Sequence, residues 1–569
     1  MTEKKKQMKY KGHILDVTAR RAFDGELTVE NGVIGSITPC DDVEANAPYF
    51  LPGFIDSHVH IESSMMVPAE FARVAVEQGT IGVVADPHEI GNVLGKEGIE
   101  FMIESGKNIR FNFCFGAPSC VPSCGADIET SGATLGSRDV DELLARDDIG
   151  YLAEMMNFPG VLAGDKEVMA KIESAKRHGK PVDGHAPGLF GKERRRYAEA
   201  GISTDHECVT LDEARACIEA GMTVQIREGS AAKNYEALIP LLREFPDRVM
   251  FCTDDCHPDD LIRGHINRIV ARALGDGYDL WDILHAVCVT PQRHYHLQWG
   301  LLHEGDAANF IAIDNLSPNF RVLLTVVKGK EVYNCNSFLS TIRSQMKSVN
   351  NQLAILDNYP NNFAAKPITA ADIYLPITSG DKVRIIHAFD GSLLTKSEEV
   401  LVTGNPLIDS RYAWGEVQKI VVYNRYDKGA RPVTGLIRGF NIRNGAMAGS
   451  IAHDCHNIVA IGSKDEYIVK AINRVVEMKG GLVALAGNEV SDIALPIAGL
   501  ISPLGGHEIA YRSSRLRDTI GKAGCTMHAP FITMAFMCLP VIPDIKLTDR
   551  GLFDTRKWAF VKASEHCSQ

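Results

Sequence analysis

Apolar, β-branched runs recur along the first half of the chain, and each ends in a polar cluster. They read FIDSHVH, TIGVVADPHE, RFNFCFGAPS, IGYLAEMMNF, KPVDGHAPG, GISTDHE, GMTVQIREGS and RVMFCTDDCHP. Between them lie stretches with helical apolar spacing that end near glycine, such as AEFARVAVEQG, KEVMAKIESAKRHG and LDEARACIEAG. Alternating strand and helix signals predict a (β/α)8 TIM-like barrel of the α/β class over residues 51–299, close to the usual length of that fold.

The flanks of this region have a different texture. GHILDV and GELTVENGVIGSI precede it, and DAANFIAIDNL and TVVKGKEVYN follow it, all with short-strand patterning. They predict a small β-sandwich domain built from residues 1–50 and 300–335. Residues 336–366 read as a polar helical connector. From 367 to 569 the pattern is mixed again, with SIAHDCHNIVAIG and the helix-like DEYIVKAINRVVEMKG, and predicts a C-terminal α+β domain.

Composition narrows the function. The 569 residues are 45% hydrophobic and 23% charged, ordinary globular values that allow a large core. A net charge of −12 argues against a polynucleotide partner, though not against a free base. Fourteen cysteines, several inside apolar runs, fit a reduced cytoplasmic protein better than a disulfide scaffold. The N-terminus MTEKKKQMKY has no apolar segment behind it, so no signal peptide is expected, and no run is long enough for a membrane span. Neither GxxxxGK[ST] nor the HxE…PCxxC pattern of cytidine deaminases occurs.

The candidate chemistry lies at the ends of the apolar runs: His58 and His60; His88 and Glu89; Glu154; His185; His206; Arg227 and Ser230; Asp254 and Asp255. In a barrel, strand C-termini converge on one face. Alternate strand residues share a side, so His58 and His60 can clamp one ion together. Four imidazoles with Asp254 and Glu89 are too many donors for one tetrahedral ion with an open position. They suit two ions sharing a bridging carboxylate. Nitrogen and oxygen donors without thiolate leave manganese, iron and zinc open. Arg227 and Ser230 read equally as purine contacts or as structural, with Arg227 salt-bridged to Glu228 or another barrel carboxylate. His88 and Asp255 read as groups that orient the liganding side chains. The HDCHN segment, with His453 and Asp454, reads as a loop that closes over the substrate or as a domain contact.

LPGFIDSHVHIESS, GVVADPHEIGNV, AEMMNFPGV, GHAPG and TDDCHP resemble the amidohydrolase superfamily and, within it, the bacterial adenine deaminases. The resemblance extends to RGFNIRNGAMAGSIAHDCHNIVAIG near the C-terminus. It implies His58 and His60 on one divalent ion, His185 and His206 on the other, and Asp254 as ligand and proton shuttle. Many binuclear relatives bridge their ions with a carboxylated lysine on strand four; here that strand reads YLAEMMNF. The resemblance implies Glu89 as the bridge, which leaves Glu154, with a raised pKa, as the acid that protonates the purine ring. The expected reaction is hydrolysis of adenine to hypoxanthine and ammonia, with manganese expected ahead of iron or zinc. A homo-oligomer, taken as a dimer, is expected. Other readings are a deaminase of another aminopurine, a cyclic-amide hydrolase on the same scaffold, or a non-catalytic scaffold.

Overall fold

The computed structural model describes residues 7–125, 127–230, 232–337, 359–403 and 416–566. Most of the expected connector, 338–358, lies outside the described residues.

Four N-terminal strands, β1 (Met8–Asp16), β2 (Arg21–Glu30), β3 (Val33–Pro39) and β4 (Tyr49–Pro52), lead into the apolar runs. The runs form β5 (Phe54–Val59), β6 (Thr80–Ala85), β7 (Asn112–Ala117), β8 (Ile149–Met155), β9 (Val182–Gly184), β10 (Thr204–Asp205), β11 (Thr223–Arg227) and β12 (Val249–Cys252). β5 to β9 pair in sequence order in one sheet and β10 to β12 in another, all parallel. Both seams are hydrogen-bonded. Ser203 N donates to Val182 O at 2.9 Å, Asp254 N to His58 O at 2.9 Å, and His60 N to Asp254 O at 3.1 Å. The result is a TIM-like barrel, and β5, β6 and β12 are buried along their whole length, as parallel strands covered on both faces must be.

After the barrel come β13 (Phe310–Ile313), β14 (Val322–Val327) and β15 (Lys330–Asn334). They join the N-terminal strands in the order β15-β14-β13-β4-β1-β2-β3. Two flanks nearly 300 residues apart therefore share one structure, but hydrogen bonding runs through a single seven-stranded sheet rather than two separate layers. Bulges at Thr28/Val29, Ala312/Ile313 and Thr325/Val326 let that sheet curl. Its far edge returns to the residues before β13: Ile34 N donates to Asp306 O at 2.8 Å, and Ala308 N to Gly32 O at 2.9 Å.

The C-terminal region is built on a nine-stranded, mostly antiparallel sheet. Its members are β16 (Asp381–Ala388), β17 (Thr395–Leu401), β18 (Val417–Tyr423), β19 (Val433–Arg438), β20 (Gly445–Gly449), β21 (Ile458–Gly462), β22 (Gly481–Ala486), β23 (Glu489–Ala494) and Ser564–His566. Helices Asp465–Glu477 and Gly506–Lys522 pack on it, the first through buried Ile468, Ala471, Ile472 and Val475 at helical spacing. The loop between β20 and β21, residues 450–457, faces the barrel, where Asn457 Nδ2 donates to Thr130 O at 3.0 Å. No helix among the described residues is long and apolar enough to cross a membrane.

Candidate active site

His58 and His60 stand at the end of β5, two residues apart on the same side, with ring centroids 4.9 Å apart. His60 directs Nδ1 to the carbonyl of Asp86 at 3.1 Å, which turns Nε2 inward. There it lies 3.0 Å from Asp254 Oδ1. His58 Nε2 is 3.5 Å from the same oxygen, and the His58 ring stacks on His206 at 4.2 Å. His206 follows β10, His185 follows β9, and their centroids are 5.6 Å apart. The four imidazoles and Asp254 expected from the sequence thus meet at one rim, all buried.

The carboxylate in their midst is Glu154, from β8. Its Oε1 is 3.3 Å from His60 Nε2, while Oε2 is 2.8 Å from His185 Nδ1 and 3.3 Å from His206 Nε2. One oxygen faces each histidine pair. Glu89 stands elsewhere, which corrects the placement expected from the sequence. It is the second residue of the short helix α1 (His88–Leu94), which follows β6, and its first turn faces the C-terminal loop. Its Oε1 is 2.6 Å from His453 Nδ1, and its Oε2 contacts His456 Nε2. A strand side chain projects across the barrel mouth, whereas one on the following helical turn is carried outward; the two glutamates differ for that reason.

The electrostatics also differ from expectation. Burial pushes the Glu154 carboxyl up, but the charge and hydrogen bond of His185, with hydrogen bonds from His206 and His60, hold it well below the usual carboxylate range. Burial likewise raises Asp254, and the Arg227 guanidinium with His58 and His60 overcomes it, leaving Asp254 well below its ordinary value. A buried, neutral Glu154 waiting as an acid is therefore not what the surroundings favour.

The remaining candidates fall into place around this centre. Arg227 reaches both Glu207 and Asp254, the latter at 2.7 Å, rather than Glu228, which faces Arg272 at 3.3 Å. Ser230 does not line the cavity: its hydroxyl donates to Asp260 Oδ2 at 2.7 Å and accepts from His257 N at 2.8 Å, tying two strand-end loops together. His88 Nδ1 is 3.0 Å from Asp86 and 3.5 Å from Glu154 Oε1. Asp255 accepts from the Ser63 hydroxyl at 2.5 Å. Glu62, just past the paired histidines, accepts from Ile90 N at 3.1 Å and so fixes the turn carrying His88 and Glu89.

His453 and Asp454 line the cavity with the barrel groups, and Leu393, Phe536, Leu539 and Ile542 add an apolar wall from the C-terminal region. The cavity encloses about 320 Å³ of space not filled by atoms. Sequence reasoning missed Glu207, His456 and that wall. Glu207 could have been found, because it directly follows His206 at a strand end; the wall residues carry no local signal.

The donor set fits divalent ions. Both ring nitrogens of His58, Nε2 of His185 and Nδ1 of His206 are buried without a hydrogen-bond partner. Orphaned polar atoms of this kind are costly unless something binds them. Three groups drawn from these residues have ligand atoms close enough to share an ion: His60, Asp86, His88 and Glu154; His58, His206 and Asp254; Glu154, His185 and His206.

A TIM-like barrel with this donor set on its rim defines a metal-dependent hydrolase, and residues 49–332 match the family model described as "Amidohydrolase family". Residues 393–559 match "Adenine deaminase C-terminal domain". The chain is 48% identical to an adenine deaminase of Salinibacter ruber, over 97% of this chain and 98% of that one. It is 46% identical to one of Methanosarcina mazei, over 97% and 99%, and 40% identical to one of Borreliella burgdorferi, over 97% and 99%. The chain belongs to the adenine deaminase family of the amidohydrolases. Membership carries divalent metal binding with it, and the histidine and carboxylate groups at the rim are where such ions fit.

Proposed function

We propose that the protein hydrolyses adenine to hypoxanthine and ammonia with two divalent ions at the barrel rim. The observation that carries this reading is Glu154, which turns one carboxylate oxygen toward His60 and the other toward His185 and His206. His58 and His60 would hold one ion, His185 and His206 the other, with Glu154 between them and Asp254 on the first. The oxygen- and nitrogen-donor set is compatible with manganese, iron or zinc, with manganese ahead. When bound, the ions supply a water-derived nucleophile at neutral pH.

The chain's own groups supply the rest. Addition at the amine-bearing carbon puts negative charge on the adjacent ring nitrogen, so a proton must arrive there. Glu89 is the carboxyl group for that task, because it lines the cavity and is free of the four-histidine set. The departing amine needs a second proton to leave as ammonia. Asp254, against His58 and His60, takes the proton of the attacking oxygen and passes it to that nitrogen. Arg227 keeps Asp254 ionised and aimed. Asp454, His453 and the apolar wall enclose the planar base. In sum, one water is consumed, the carbon–nitrogen bond breaks, and ammonia carries away both transferred protons.

The test pairs two assays on the full-length protein. Ammonia release is compared for adenine, adenosine, guanine and cytosine, and metal content is measured per chain. Release from adenine with about two ions per chain supports the reading. Turnover of a different aminopurine in preference to adenine would remove the substrate assignment, and activity without bound metal would remove the mechanism.

A further inference from the structure

Glu89 has its backbone and its carboxylate held by different parts of the chain. The barrel fixes the backbone: His88 N donates to Asp86 Oδ1 at 3.0 Å, and Ile90 N to Glu62 Oε1 at 3.1 Å. The carboxylate is held by the C-terminal loop, through His453 on Oε1 and His456 on Oε2. That loop is itself rigid. Asn457 Oδ1 accepts from Arg425 N at 3.2 Å while its Nδ2 donates to the barrel at Thr130, and Tyr426 Oη donates to Cys455 O at 2.6 Å. The His453 ring is stacked on Phe536, centroids 4.3 Å apart.

His456 is the less expected of the two. It does not line the cavity, it is 1% exposed, and its backbone adopts φ of 53°, a left-handed conformation that a non-glycine residue enters at a cost. Neither ring nitrogen has a hydrogen-bond partner, and Nε2 is in contact with Glu89. Burial holds the ring far below the ordinary imidazole value, at about 4, so it stays neutral; His453, lowered by burial but raised further by Glu89, Asp255 and Asp454, sits at about 9. One charged and one neutral imidazole therefore bracket a single carboxylate without doubling the positive charge.

We propose that His456 is a positioning residue for the reaction: with His453 it orients the Glu89 carboxylate from outside the barrel, so that the C-terminal region completes the proton-transfer machinery as well as covering the cavity. This rests on Glu89 being the proton-transfer group. Its strained backbone is what brings the ring to a carboxylate on another part of the chain.

The test is a double-mutant cycle on the metal-loaded, full-length enzyme. His456→Ala should keep its ions and its KM for adenine within about threefold, while kcat falls about 100-fold, as for a displaced reacting group. His456→Gln, whose amide can still donate, should recover at least about tenfold of that loss. Glu89→Gln should lose more than His456→Ala, and adding His456→Ala to Glu89→Gln should cost nothing further. Losses that multiply in the double variant overturn the positioning role while leaving Glu89 in place. Full turnover in Glu89→Gln overturns the role of Glu89 itself, and with it this proposal. If the alanine variant does not fold, the glutamine variant carries the same cycle.

Discussion

The guanidinium of Arg227 sits 2.7 Å from Asp254 Oδ2 and contacts Glu207 with the same nitrogen, so one buried cation holds two buried carboxylates. Removing it would leave both charges uncompensated at the rim. Arg227→Met should therefore lose about 3–5 kcal/mol of stability, the usual cost of breaking a buried pair. Urea unfolding of the variant checks this; a loss under about 1 kcal/mol would show that the carboxylates find other partners.

The two glutamates should separate by experiment. Glu154→Gln, which blunts the group facing both histidine pairs, should lower bound metal as well as activity. Glu89→Gln should retain its metal and lose kcat by about 100-fold or more, the range of acid–base catalysis. Metal analysis of the two variants side by side decides the assignment, and the opposite pattern would restore Glu89 as the bridge.

Ser230 is expected to matter for stability and not for substrate. Its hydroxyl joins Asp260 to His257 N, away from the cavity. Ser230→Ala should leave KM for adenine within about twofold and cost about 1 kcal/mol for the lost hydrogen bonds. A tenfold rise in KM at unchanged stability would return it to the substrate site.

Lys546 gives the fold a pH dependence remote from the ions. Its ammonium is fully buried, donates to Leu393 O at 2.8 Å, and burial lowers its pKa from 10.5 to about 7. A folded pKa below the unfolded value means the unfolded chain binds the extra proton between those limits, so stability rises as pH climbs from about 7 to 10.5. Below about 7 the penalty is complete. Lys546→Met should flatten that rise, gaining on the parent by more than about 1 kcal/mol between pH 10 and pH 7. Thermal or urea unfolding at several pH values measures it; parallel curves for the two proteins would dismiss the idea.

Much of the barrel and its histidines was legible because both depend on local pattern. Apolar runs of strand length ending in polar residues are a one-dimensional signal, and the spacing of His58 and His60 needs only the alternation of a strand. The division of labour between Glu89 and Glu154 was not legible. Both follow strands, but Glu154 lies within β8 while Glu89 lies on a helical turn, and one residue of offset there changes what a carboxylate faces. The apolar wall was hidden for a different reason. Leu393, Phe536, Leu539 and Ile542 become neighbours of the rim only through the tertiary fold, and each reads as an ordinary core residue in its own segment. The same holds for His456, whose role depends on a partner more than 350 residues away.

The curled sheet beside the barrel also sets an order of assembly. β4 pairs antiparallel with β13, and β13 emerges from the ribosome only after the eight barrel strands have been made. During translation the inner edge of β4 has no partner for some 260 residues, a span bridged at domain scale. The barrel is thus clasped by its own two ends, and a nascent chain stopped short of Phe310 would lack the strand that fastens the clasp.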